Sequence, residues 1–215
     1  MIDSTEQTTR LAIVETCRRL AQTGLVYGTA GNVSARLGDR VFISPTSVPY
    51  ETLTPEQICE VSLSGTVVST GGARPSSEVP LHLSVYAGSD ARAVVHVHSR
   101  AAVAAGLIAD EIPAVHYVTR SLGGSIRVAD YACFGSEELA AAVSAAMDGR
   151  SAALMRNHGA VASGATLDQA RERCETVEWV SDVFLRARAA GTPAALSSEQ
   201  LDEVTAAATH SGYRL

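Results

Sequence analysis

Four side chains stand out for what they can do together: His96 and His98 in the run AVVHVH, His158 in RNHGA, and Glu78 in PSSEVPLH. Residues two apart on a strand share a face, so His96 and His98 project together while Val95 and Val97 face the opposite layer. That pair alone reads equally well as two hydrogen-bonded histidines, because a His-x-His run is short. His158 changes the balance, with Gly159 allowing a tight backbone that turns the imidazole inward. Three imidazoles from two segments supply nitrogen ligands to a divalent cation at about 2.0–2.1 Å and leave one position for water or substrate. Together the three favour a metal site. Glu78 follows two serines where a helix starts, and a carboxylate there is stabilised by the helix dipole. Its alternatives are that capping role, a general base, or a fourth ligand. His82 lies one turn later on the same helix face and reads as a hydrogen-bonding support rather than a ligand.

A second set is rich in glycine and hydroxyls: Gly31-Asn32, Thr46-Ser47 and Ser76-Ser77. Small residues and exposed backbone N–H groups near a helix start suit a phosphate, although each stretch alone reads as an ordinary turn. No P-loop signature accompanies them, so nucleotide binding of that kind is unsupported. The chain has no lysine, all 17 of its basic residues being arginine, which removes Schiff-base chemistry through a lysine side chain.

These residues need a scaffold. With 215 residues, 46% hydrophobic and 19% charged, the chain suits one globular domain with an aliphatic core. Its net charge of −6 argues against nucleic acid and anionic membranes as partners. The four cysteines form no CxxC pair, the start is polar without a signal-peptide core, and no apolar run reaches roughly 18 residues. A reduced, cytoplasmic protein is expected.

Helical spacing predicts helices over residues 5–22, 78–87, about 100–107, 136–147, 167–189 and 198–208. Short strands are predicted at 33–36, 40–44, 58–63, 66–69, 93–97 and 126–129, with a hairpin of 152–156 and 160–162 around Asn157-His158-Gly159. Ser76 or Ser77 is the expected cap of the second helix. The elements alternate without a clean βαβ repeat, and no linker breaks them, so a single α/β domain is expected.

The segments GNVSAR, ISPTSVPYETL, PSSEVPLH, AVVHVHS, PAVHYV, YACFGSEELA and RNHGAVASG occur in this order. From about residue 10 to 189 the chain resembles the class II aldolase/adducin family. The resemblance implies a three-layer α/β/α sandwich around a largely antiparallel sheet, one domain over residues 1–215, and a mobile tail from about 209. It implies a homotetramer with active sites between subunits, a phosphorylated sugar as substrate, and one Zn²⁺ per subunit on His96, His98 and His158. Mn²⁺ and Co²⁺ also accept imidazole. Glu78 is implied as the acid/base that also ligates the metal in the absence of substrate. Asn32, Thr46, Ser76 and Ser77, with backbone at Gly31 and Ser47, are implied to bind the phosphate. Tyr117 in PAVHYV matches a tyrosine that protonates an aldehyde oxygen from a neighbouring subunit, His116 beside it is structural, and Tyr213 matches a second tyrosine in the tail.

The implied reaction is reversible cleavage of a ketose 1-phosphate to dihydroxyacetone phosphate and a small aldehyde through a zinc-stabilised enediolate. Epimerase, dehydratase and decarboxylase activities on the same scaffold, or a non-catalytic adducin-like interaction domain, are the alternatives. Two positions depart from the family: its ProThrGly turn reads Pro45-Thr46-Ser47, and its double histidine reads Asn157-His158.

Overall fold

Helix α1 (Ser4–Gln22) comes first in the computed structural model, which describes residues 4–212. Its buried Ile13, Val14, Cys17 and Leu20 recur at helical spacing and form the stripe that meets the sheet. There follow β1 (Asn32–Leu37), β2 (Arg40–Ile43), β3 (Cys59–Ser62) and β4 (Val67–Ser69), then α2 (Val79–Ala87), β5 (Ala93–Val97) and α3 (Arg100–Ile108). The second half holds β6 (Glu111–Ile112), β7 (Ile126–Ala129), α4 (Glu137–Ala146), β8 (Ala152–Met155), β9 (Gly159–Gly164), α5 (Leu167–Ala190) and α6 (Ser198–Ser211).

The strands form one sheet in the order β4-β3-β2-β1-β5-β9-β8-β7-β6. Only the β7–β8 pair is parallel, so the largely antiparallel α/β sandwich is what the structure shows. Strand alternation splits the core into two layers. Val33, Val95, Val97 and Ala162 face α1, α3 and α5, whereas Val94, Val161 and Met155 face Leu81 and Val85 of α2 and Leu139 and Val143 of α4. His96 lies on the face of Val94, and β5 sits mid-sheet between β1 and β9.

The differences from the sequence reading have physical causes. A two-residue strand such as β6 has no periodicity to detect, and residues 117–122 form a 3-10 turn with Thr119 and Leu122 buried. At the start of α2, the residue in the cap position is Glu78 rather than a serine. The Ser76 hydroxyl instead accepts a hydrogen bond from the Glu78 N–H at 3.2 Å. Helix α6 runs through Ser211 and closes at Gly212, whose φ is +70°. Tyr213 lies outside the described residues. Among them, no helix is long and apolar enough to cross a membrane.

Candidate metal centre

The core strands aim the ligands. His96 is the fourth residue of β5, and His98 follows directly after that strand. Pairing of Val97 with Ala160 brings the β8–β9 turn, and with it His158, to the end of β5. Asn157, at φ +58°, takes the left-handed step of that turn, a conformation asparagine tolerates better than most residues. The left-handed step of the turn therefore falls at Asn157, two residues before Gly159. Gly159 is needed for a different reason: a Cβ there would lie 2.1 Å from the Val97 carbonyl oxygen. Gly31 is constrained similarly, since its φ is +84° and a Cβ would meet the His96 carbonyl oxygen at 2.8 Å. Both glycines let backbone close on the histidine strand.

Glu78 does not use its side chain as a cap. Its carboxylate turns to the histidines, with Oε2 3.2 Å from His96 Nε2 and Oε1 3.4 Å from His158 Nε2. The Nε2 atoms of His96 and His98 are 2.9 Å apart. The three rings stand edge to face with centroids 4.7–4.8 Å apart, and the ligand atoms of all four residues lie within 4.8 Å of one another. A four-coordinate ion with ligands at 2.0–2.1 Å requires ligand atoms about 3.3 Å apart, a spacing these distances bracket. His96 Nδ1 donates to the Ala160 carbonyl at 2.9 Å, which orients the ring and turns Nε2 toward the cluster. Glu78 Oε1 is buried with no hydrogen-bond partner, as expected of an oxygen reserved for a ligand. The donor set fits a divalent metal.

Charge is distributed unevenly here. Burial works to raise the Glu78 pKa, but the charge and hydrogen bond of His96, then His158 and the Asn32 amide, outweigh it and hold the carboxyl well below its usual range. His96 is opposed by burial yet raised by Glu78 and by the bond to Ala160. Burial, then the neighbouring imidazoles, push His98 down to about 3, and burial with His96 pushes His158 to about 4. At neutral pH His98 and His158 therefore present lone pairs.

Behind Glu78 lies a buried polar row. Asn32 Nδ2 donates to Glu78 Oε2 at 2.8 Å, and Asn32 Oδ1 meets His82 Nε2. His82 Nδ1 is 2.6 Å from Ser34 Oγ, which is 2.7 Å from Tyr86 Oη. Burial first of all pushes the His82 pKa down to about 3. The ring thus supports the site from behind and is no member of the ligand cluster.

In front lies a cavity of about 320 Å³ lined by Gly31, Asn32, Thr46, Ser76, Ser77, Glu78, His98 and His158. With one amide hydrogen given to Glu78, Asn32 keeps a second for a ligand. The Thr46 N–H is taken by the Arg74 carbonyl, so its hydroxyl is the group on offer. Ser47 is exposed, with φ +60°, and is outside the cavity lining. Tyr131 and Phe134 also line the cavity while 66% and 65% exposed, and sequence reasoning missed both. Two aromatics within five residues, in a chain only 5% aromatic, were the available signal. Tyr117 is outside this lining, in the 3-10 turn, with its ring 4.2 Å from that of His116. His116 accepts from the Val118 N–H and packs on Trp179, a structural role.

A layered sheet holding three histidines and a carboxylate at a hydroxyl-lined cavity defines an α/β protein with a candidate metal site. Residues 11–185 match the family described as Class II Aldolase and Adducin N-terminal domain. An L-fuculose phosphate aldolase of Escherichia coli K12 is 38% identical over 190 residues, 87% of either chain. A 5-methylthioribulose-1-phosphate/5-deoxyribulose-1-phosphate aldolase of Rhodospirillum rubrum is 34% identical, covering 91% of this chain and 88% of its own. A solved L-fuculose 1-phosphate aldolase superposes with a TM-score of 0.88 at 30% identity, over 94% of this chain and 95% of that one. The chain belongs to the class II aldolase and adducin family, and it is an enzyme of the class II aldolase kind.

Proposed function

We propose that this enzyme reversibly cleaves a ketose 1-phosphate to dihydroxyacetone phosphate and a small aldehyde. The observation that carries the reading is the convergence of His96, His98, His158 and Glu78 at the wall of a hydroxyl-lined cavity. The names of the three relatives reported above, each a sugar-phosphate aldolase, support the substrate class. The three histidines, with Glu78 when substrate is absent, would hold Zn²⁺, or Mn²⁺ or Co²⁺ in its place. When bound, the ion supplies Lewis-acid stabilisation of an oxygen that gains negative charge as the C–C bond breaks.

The chain's own groups do the rest. Glu78 moves the proton at the reacting carbon, with the unpartnered Oε1 as the atom that takes it. The hydroxyls of Thr46, Ser76 and Ser77, the backbone at Gly31 and Ser47, and the second Asn32 amide hydrogen hold the phosphate. Binding there, away from the reacting carbon, fixes orientation. Tyr117 of a neighbouring subunit donates to the aldehyde oxygen, and Tyr213 is a second tyrosine for the same end of the substrate. The working unit is a cytoplasmic homotetramer in which each chain contributes this one domain.

Incubating metal-loaded protein with a panel of ketose 1-phosphates tests the reading: one substrate should release dihydroxyacetone phosphate with clear preference. Release from none overturns it. Glu78→Gln should keep much of the metal while slowing proton exchange into dihydroxyacetone phosphate by about 10²–10⁴-fold. Unchanged exchange removes Glu78 from the role of base.

A further inference from the structure

We propose that His82 is a positioning residue for Glu78, acting through the Asn32 amide, and that the hydrogen bonds from Tyr86 to Glu78 run in one direction only. The kinetic consequence rests on the function proposed above; the direction of the bonds does not.

The direction follows from which groups can donate. An ionised carboxylate only accepts, so Asn32 must present Nδ2 to Glu78 Oε2, at 2.8 Å. That turns the amide oxygen, also a pure acceptor, to His82 Nε2, which must carry the ring hydrogen. An imidazole protonated at Nε2 keeps a lone pair on Nδ1. The Ser34 hydroxyl therefore donates to Nδ1 at 2.6 Å, and Ser34 Oγ accepts from Tyr86 Oη at 2.7 Å. None of the five residues is more than 5% exposed, so water does not stand in for a lost member. A flipped Asn32 amide would set oxygen against carboxylate and N–H against N–H. His82 thus locks the amide, the amide pins Oε2, and Oε1 is left as the oxygen of Glu78 with no hydrogen-bond partner, 3.4 Å from His158 Nε2.

Two measurements test this. Selective ¹⁵N labelling of histidine in the wild-type protein should show residue 82 in the Nε2–H tautomer, with and without metal. An Nδ1–H tautomer overturns the proposal whatever the reaction proves to be. Next, His82→Gln places an amide N–H where Nε2 sits and keeps the donor to Asn32, whereas His82→Asn reaches only the Nδ1 side. His82→Asn should lose about 10–100-fold in kcat with little change in metal content, and His82→Gln should recover most of that loss. Equal losses in both variants would reduce His82 to a packing role and sink the proposal. A wild-type protein that cleaves no ketose 1-phosphate defeats the proposed reaction instead, and leaves the tautomer result to decide the bond direction.

Discussion

Protonation decides how the four ligand residues behave. With His98 and His158 pushed down to about 3 and 4 and His96 raised, His96 is the first of the three cluster histidines to take a proton as pH falls. A metal must displace that one proton. Affinity should therefore fall about tenfold per pH unit below the raised His96 pKa and above about 4, a slope of one, measured by competition with a chelating dye. A slope of two or three would mean that His98 and His158 are protonated as well. Without metal, the sign for folding differs between groups. The depressed pKa values of His98 and His158 make stability rise with pH from about 4 to the unfolded histidine value near 6.5. The raised His96 contributes stability below its unfolded pKa, and this is lost as pH rises through its folded one. The Ser47 backbone sets another expectation. Its left-handed φ of +60° costs a side chain about 1–2 kcal/mol, so Ser47→Gly should raise the unfolding free energy by up to that amount in a urea titration. No gain would mean that the serine hydroxyl offsets the strain.

Helix α3 begins just beyond His98, and its first turn is held from another element. Glu178 of α5 accepts from the N–H groups of Ala101 and Ala102 at 3.0 and 2.9 Å, while the cap residue Ser99 makes no side-chain bond. Glu178→Ala should cost about 1–2 kcal/mol in chemical denaturation and weaken metal binding through His98. A change within error on both counts would show that water replaces the carboxylate. At this scale the elements whose residues repeat are the ones legible in the sequence. The long stripe of α5 and the apolar run of β5 announce themselves, whereas β6 is too short to show a period. The ligand cluster was legible because a strand places His96 and His98 on one side, and a glycine-flanked turn marks His158. The bond from Asn32 to Glu78 was not, because it joins β1 to the start of α2 across a gap only the assembled sheet closes. Tyr131 and Phe134 escaped for a related reason, since an irregular segment carries no pattern that says which wall it lines.

Across the whole molecule, Tyr117 lies outside the lining of its own chain's cavity, so the role proposed for it requires a neighbouring subunit. If so, Glu78→Gln and Tyr117→Phe chains, each impaired alone, should complement when unfolded together and reassembled in equal amounts. Random assembly places intact Glu78 and Tyr117 at about a quarter of the sites, and activity should return to that fraction. No recovery would place both groups within one chain or remove Tyr117 from the reaction. The cluster itself joins the start of α2, the end of β5 and the β8–β9 turn, three stretches far apart in sequence. A cation held among them rivets those stretches as well as serving chemistry. Free ion at a hundredfold excess over its dissociation constant adds about 2.7 kcal/mol to the folded state. Heat tolerance should therefore follow metal supply, and a culture starved of the ion would yield a more fragile enzyme as well as an idle one.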